Sequence, residues 1–285
     1  MAVALRNTYR QLRRRISKTF VRVPVVWLRH RGLSDQDVFV AAYARTGSVW
    51  LRFLLYEILA GKSAGFDLVN RHIPDVGLQR SSLPLLPNGG RVIKTHEPYR
   101  GEYRKAIYLV RDPRDIILSE YAFYKQSRRI NSDEQVFLRQ FLQGKSNGYG
   151  PWSEHVRSWL QSPIAANGNL LVVKFEDLKQ QPEAGLRRIL EFLGIAAEDS
   201  ALRAALADNT VARMRQKELQ SPNLITREGH HYIRGGLVGG WRENLSPTEV
   251  ELIERQSGEM MARMGYELAA TRAPKELSSR FNDAR

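Results

Sequence analysis

Four short apolar runs, VFVAA (38–42), RVIK (91–94), AIYLV (106–110) and LLVVKF (170–175), are separated by longer amphipathic segments. Each run is rich in β-branched residues and nearly continuous, which is the pattern of a strand buried on both faces. Strands that alternate with helices are joined by crossovers and pair in parallel. The expected fold class is therefore α/β, a three-layer helix–sheet–helix with a mostly parallel sheet. A chain of 285 residues with 42% hydrophobic content is long enough to bury one core of that kind.

Helix starts are spelled out locally. Asp112-Pro113 with Asp115 sets a cap, a first-turn proline and an acid before IILSEYAFYK. Ser132 with Gln135, and Ser246-Pro247 with Glu249, read as capping boxes.

The charge is uneven. Residues 1–31 hold nine Lys or Arg and no Asp or Glu, while the rest of the chain carries 35 basic against 30 acidic residues. This divides the chain into a basic arm (1–31), a main domain (32–270) and a polar tail (271–285). Leu5, Tyr9, Leu12, Ile16 and Phe20 form a helical stripe along the arm. Two readings of that helix stay open: packing on the body, or lying on an anionic membrane surface. The run Val21–Leu28 is too short, and too broken by Arg22 and Pro24, to span a membrane. The chain has no cysteine, which removes disulfides, a thiolate nucleophile and Cys-type zinc sites. A cytoplasmic protein, peripheral at most to a membrane, is expected.

Ligands of a parallel sheet sit at the carboxyl ends of its strands. The first such end reads YARTGSVW: Arg45, Thr46, Gly47 and Ser48 form a small polar knot before a helix expected to start near Ser48. Unpaired N–H groups and the helix dipole make such a start a cradle for phosphate or sulfate, with Arg45 as a fixed cation and the Thr46 and Ser48 hydroxyls as donors. The alternative is an ordinary turn capped by Ser48. Walker A and G-x-G-x-x-G spacings are both absent. The second strand end carries Lys94 and His96, a charge stabiliser and a general base, or else a structural histidine. The third carries Arg111, with Ser119 two turns into the next helix; the arginine can grip a phosphate or pair with Asp112 or Asp115.

Five blocks in order, YARTGSVWLRFLLYEIL, IKTH, YLVRDPRDIILSEYAFYK, VVKFEDLKQQPEAGLRRILEFLGI and IRGGLVGGWRENLSPTE, resemble the sulfotransferase family that uses 3′-phosphoadenosine 5′-phosphosulfate (PAPS). The resemblance implies a phosphate-binding strand–loop–helix and a metal-free transfer of a sulfuryl group to an acceptor hydroxyl. It implies that Arg45 contacts the 5′-phosphate and that Thr46, Gly47, Ser48, Val49 and Trp50 line the cradle. Lys94 would stabilise the transferring group and His96 would take the acceptor's proton. Arg111 and Ser119 would bind the 3′-phosphate, with Arg234, Gly235 and Gly236 closing over it. Phe175 would face the adenine.

The match departs from the family at several positions. Arg45 replaces the usual lysine, Val49 a threonine, Phe175 a tyrosine, and Val211 the phenylalanine expected in DNTVARMR. The charge of the arm points to a saccharide or glycolipid as acceptor, with a small alcohol or phenol left open. A nucleotide-dependent kinase, and a basic membrane-peripheral or nucleic-acid-binding protein, are the rival readings. No nucleic-acid partner is expected, because the charge concentrates in the arm. Trp152, His155 and Trp159 share a face of a helix over 151–160, as packing or as the border of an acceptor groove. The segment 62–90 is read as a loop that shapes acceptor choice, and Glu97 and Glu102 as surface residues or as groups that orient an acceptor. The adjacent histidines of GHHY (229–232) point apart and make a poor metal pair.

Overall fold

The first apolar run forms β1 (Val38–Ala42), a strand with the predicted limits and every residue buried. β2 (Val92–Thr95), β3 (Lys105–Val110) and β4 (Leu170–Lys174) each lie within one residue of the other three runs. In the computed structural model, which describes residues 22–79, 83–126, 133–221 and 232–269, these strands pair in parallel in the order β2-β1-β3-β4. The order reverses at β1, so a crevice opens between the carboxyl ends of β1 and β3.

Among the described residues the helices are α1 (Arg22–His30), α2 (Ser48–Ala60), α3 (Phe66–His72), α4 (Pro113–Gln126), α5 (Glu134–Leu142), α6 (Trp152–Leu160) and α7 (Pro163–Ala166). They continue with α8 (Phe175–Gln180), α9 (Pro182–Leu193), α10 (Asp199–Asp208), α11 (Val211–Leu219), α12 (Trp241–Asn244) and α13 (Pro247–Arg263). Side chains alternate across each strand and divide the interior into two cores. Val38, Val40, Ile107 and Leu109 pack against α2, α3, α9 and α10. Phe39, Ala41, Tyr108 and Val110 pack on the other face against α4, α5, α6 and α13. Each large apolar side chain removed from water in this way contributes roughly 1.5–3 kcal/mol. The three-layer reading therefore holds.

Local signals place most helix starts. Ser246 and Glu249 form the predicted capping box of α13, and Asp112 accepts the Arg114 N–H as Pro113 opens α4. Two expectations are corrected. The cap of α5 is Asp133, which accepts from Val136 N; Ser132 lies outside the described residues. Phe175, expected as a strand residue, is the first residue of α8, since β4 turns into helix with no intervening loop.

The segment 62–90 is more than a loop. It holds α3, and Asp75 bridges the outer edge of β2 at Lys94. Trp152, His155 and Trp159 are core residues: Trp159 stacks on Tyr103, and His155 Nδ1 meets the Tyr108 hydroxyl at 2.9 Å. Glu97 is likewise no free surface acid, because it accepts from Arg100 and from the Tyr103 hydroxyl. Of the basic arm, residues 1–21 lie outside the described residues, as do 229–231 of GHHY and the tail 271–285. α1 is docked on the body by buried Val26, by Arg29 donating to the Leu78 carbonyl at 2.6 Å and by His30 accepting from Gly77 N at 2.9 Å.

Candidate active site

The polar knot turns the chain with two residues in left-handed backbone, Arg45 (φ 65°) and Gly47 (φ 99°). Gly47 holds the N-cap position of α2 and no side chain caps the helix. Ser48 is not the cap. The unpaired N–H groups of the first turn thus face the crevice with their partial positive charge. Thr46 does not offer its hydroxyl there, because it donates to the Tyr43 carbonyl at 2.7 Å inside the loop.

Glycine is required at two points where Phe175 comes up beneath the crevice. A Cβ on Gly47 would lie 2.5 Å from the Phe175 ring, and one on Gly236 would lie 2.7 Å from it. The chain has been thinned on both sides of that ring.

The crevice widens into a cleft of about 560 Å³. Arg45, Gly47, Ser48, Val49, Trp50, His96, Arg111, Ser119, Phe175, Arg234, Gly235 and Gly236 all line it. Strand ends, a helix start and the late loop thus bring together twelve of the fourteen residues singled out from sequence. Thr46 and Lys94 are the other two. Thr46 is fully buried, and Lys94, its side chain 7% exposed, pairs through its ammonium with Asp75 at 3.2 Å.

Arg111 makes neither of the ion pairs considered for it. Its Nη1 donates to the Arg45 carbonyl at 3.1 Å and its Nη2 to the Leu237 carbonyl at 2.7 Å, while the buried Nε has no partner. Asp112 is taken by Arg114, and Asp115 accepts the N–H groups of Gly239 and Trp241 at 2.7 and 3.0 Å. Asp115 therefore pins the late loop to the start of α4. Arg45 lies over the rings of Phe123 and Tyr232, at 4.6 and 5.2 Å, and donates to the Ser119 hydroxyl at 3.3 Å. Arg234 reaches the Leu118 carbonyl at 3.3 Å.

These cations disfavour one another. Burial and then the charges of Arg45 and Arg111 lower the pKa of Arg234. Burial and then Arg111 lower that of Lys179. Arg111 is lowered by burial, with Arg45 adding to the effect while Asp115 and Glu176 oppose it. Cations gathered at such cost make a site whose missing counterpart is an anion. A ligand carrying more than one phosphate and an aromatic ring fits this donor set. The α2 N–H groups, Arg45, Arg111, Ser119 and Arg234 line one cleft together with the Trp50 and Phe175 rings.

His96 opens on the same cleft. Its Nδ1 lies 2.7 Å from the Ala42 carbonyl, which can only accept, so Nδ1 carries the proton and Nε2 keeps its lone pair. Burial, and then the Lys94 ammonium, hold the imidazole down to about 3, so it is neutral. The Tyr149 ring stands 5.5 Å from it.

Sequence reasoning missed Lys179, Phe123 and Tyr232. Lys179 was within reach: it follows Phe175 by four residues, so a helix starting at Phe175 puts both on one face. Phe123 and Tyr232 meet Arg45 only through the tertiary fold.

The family model for the sulfotransferase domain matches residues 35–265. The 3-beta-hydroxysteroid sulfotransferase of Cavia porcellus is 28% identical over 251 residues, which cover 82% of this chain and 86% of that protein. Sulfotransferase 2A1 of Homo sapiens is 24% identical, covering 83% and 88% of the two chains. Among solved structures, mouse sulfotransferase SULT7A1 complexed with PAP superposes with a TM-score of 0.63 at 23% identity, covering 84% of this chain and 89% of that one. Retinol dehydratase in complex with androsterone and inactive cofactor PAP gives a TM-score of 0.65 at 19% identity, with coverage of 82% and 83%.

Proposed function

Because this chain belongs to the sulfotransferase family, we propose that it transfers the sulfuryl group of PAPS to an acceptor hydroxyl, with His96 as general base. The observation that carries the reading is the gathering of Arg45, Arg111 and Arg234 around one cleft that His96 also lines. PAPS, bound there, supplies an activated sulfuryl group on a phosphate leaving group.

The protein's own part is positioning and charge. Arg45 and the α2 N–H groups neutralise the 5′ end. Arg111, through its free Nε, holds the 3′-phosphate with Ser119, Arg234, Gly235 and Gly236. Trp50 and Phe175 flank the base. His96 Nε2 accepts the proton of the acceptor hydroxyl as that oxygen becomes the nucleophile. Lys94 acts from beside the cleft, keeping His96 neutral while Asp75 holds the ammonium.

The relatives' names point to hydroxysteroids, and the Tyr149 ring beside His96 suits an acceptor with a ring-bearing frame. A saccharide or glycolipid is the acceptor class read from the basic arm. A second reading concerns where the enzyme works. Trp27 and Leu28 are 66% and 74% exposed on the docked helix α1, which belongs to the arm (1–31) with nine cations. That combination suits peripheral contact with an anionic membrane from the cytoplasmic side. Flotation with anionic but not neutral vesicles, lost in Trp27→Ala/Leu28→Ala, is the expected result; equal flotation of both proteins contradicts it.

The catalytic reading is tested by sulfate transfer from labelled PAPS to a panel of sterols, phenols, sugars and glycolipids. Labelled product that requires His96 supports it. Labelled product formed equally well by His96→Ala removes the histidine from its role.

A further inference from the structure

A buried charge cluster lies outside the catalytic machinery, about two turns along α2 from Trp50. Lys217 on α11 reaches Glu57 Oε1 on α2 at 2.6 Å, Asp208 Oδ2 at 2.8 Å and Asn209 Oδ1 at 3.0 Å. Asn209 Nδ2 donates to Glu57 Oε2 at 2.5 Å and to the Ala205 carbonyl at 2.8 Å. Lys217, Glu57 and Asn209 are all buried. Neither Glu57 nor Lys217 lines the cleft.

The cluster reaches the site through Asn209. Asn209 is the first of the two residues between α10 and α11, and its backbone carbonyl accepts the indole Nε1–H of Trp50 at 3.0 Å. Thr210, the next residue, caps α11. Asn209, Thr210, Val211 and Met214 form one wall of the cleft, and Trp50 stands in the first turn of α2. Glu57 thus ties the corner between α10 and α11 to the same helix whose N-terminus is the phosphate cradle. The contacts span 152 and 160 residues of sequence.

We propose that Glu57, Lys217 and the Asn209 side chain are positioning residues for recognition of the donor's base. They fix the Asn209 carbonyl, and through it the Trp50 indole and the Thr210–Val211 wall, at a set distance from the phosphate loop. This rests on the donor reading above and adds a device for choosing among bases. A buried ion pair is poor stabilisation relative to a packed apolar pair, whereas setting a register is its best-attested use. Chemical selectivity among nucleoside 3′,5′-bisphosphates should therefore depend on the cluster, and the hold on the phosphates should not.

Calorimetry with adenosine and uridine 3′,5′-bisphosphates separates the two. Glu57→Gln leaves a carbonyl for Lys217 but turns an amide donor toward Asn209 Nδ2. The preference for the adenosine compound should fall by about tenfold, with uridine binding little changed. Adding Asn209→Asp restores an acceptor opposite the new amide and should recover the preference in part. If Glu57→Gln does not fold, the charge-free pair Glu57→Gln/Lys217→Met carries the same comparison. An unchanged ratio in a folded variant, or equal weakening of both ligands, overturns the proposal. Wild-type protein that binds neither compound overturns the donor reading instead.

Discussion

His96 Nδ1 and the Ala42 carbonyl oxygen stand 2.7 Å apart, and that contact decides which nitrogen of the ring can act as a base. The partner is the last residue of the neighbouring strand β1, so the tautomer is set by the sheet itself. Removing the base, as in His96→Ala, should lower kcat on the order of a hundredfold or more while donor binding persists. Single-turnover transfer and bisphosphate binding, measured side by side, check this. A large loss of binding would place His96 in the donor site.

The pH dependence of kcat/KM follows from the same ring. With the imidazole held to about 3 by burial and Lys94, the base is already deprotonated throughout the neutral range. The profile should stay flat from pH 7 down to about 5, provided the protein remains folded. An inflection near the ordinary histidine value would contradict the assignment.

Stability behaves differently. His30 and His155 are held to about 4, both chiefly by burial, and His96 to about 3. In each case the folded value is depressed, so the unfolded chain binds more protons between the folded and unfolded values. Stability is complete above about pH 6.5 and falls as pH drops toward 4. Each histidine adds up to about 1.4 kcal/mol per pH unit in that window. Urea midpoints at pH 7, 6 and 5 should decline in that order, and less steeply in His30→Gln.

Gly47 and Gly61 make a matched pair for the cradle. Both have positive φ, but a Cβ at Gly47 meets Phe175 whereas one at Gly61 meets nothing within 4 Å. Each change to alanine should cost about 1–2 kcal/mol of backbone strain. Only Gly47→Ala should also abolish bisphosphate binding. Retained binding in that variant would mean that Phe175 is free to move aside.

Much of this architecture is legible in the chain because its determinants are local. β-branched runs set the strands, and Ser246 with Glu249 starts α13 within four residues. The cleft assembles from motif residues at three strand ends, which is why most of its lining can be named in advance. What stays hidden depends on distance. Lys94 meets Asp75 only because the chain before β2 returns along that strand's edge. Trp50 meets Asn209 across 159 residues. The misread strand end at Phe175 has another cause: Lys174 enters α8 with no side-chain cap, so only the acidic pair Glu176-Asp177 marks the change.

Titration of the purified protein with adenosine 3′,5′-bisphosphate, with and without magnesium and beside Arg111→Ala and ATP, tests the central claim most directly. Arg111 brings a buried Nε with no partner to the cleft, so binding should be tight, independent of magnesium and weakened at least tenfold by Arg111→Ala. Absent binding, or a preference for magnesium-ATP, would contradict the account.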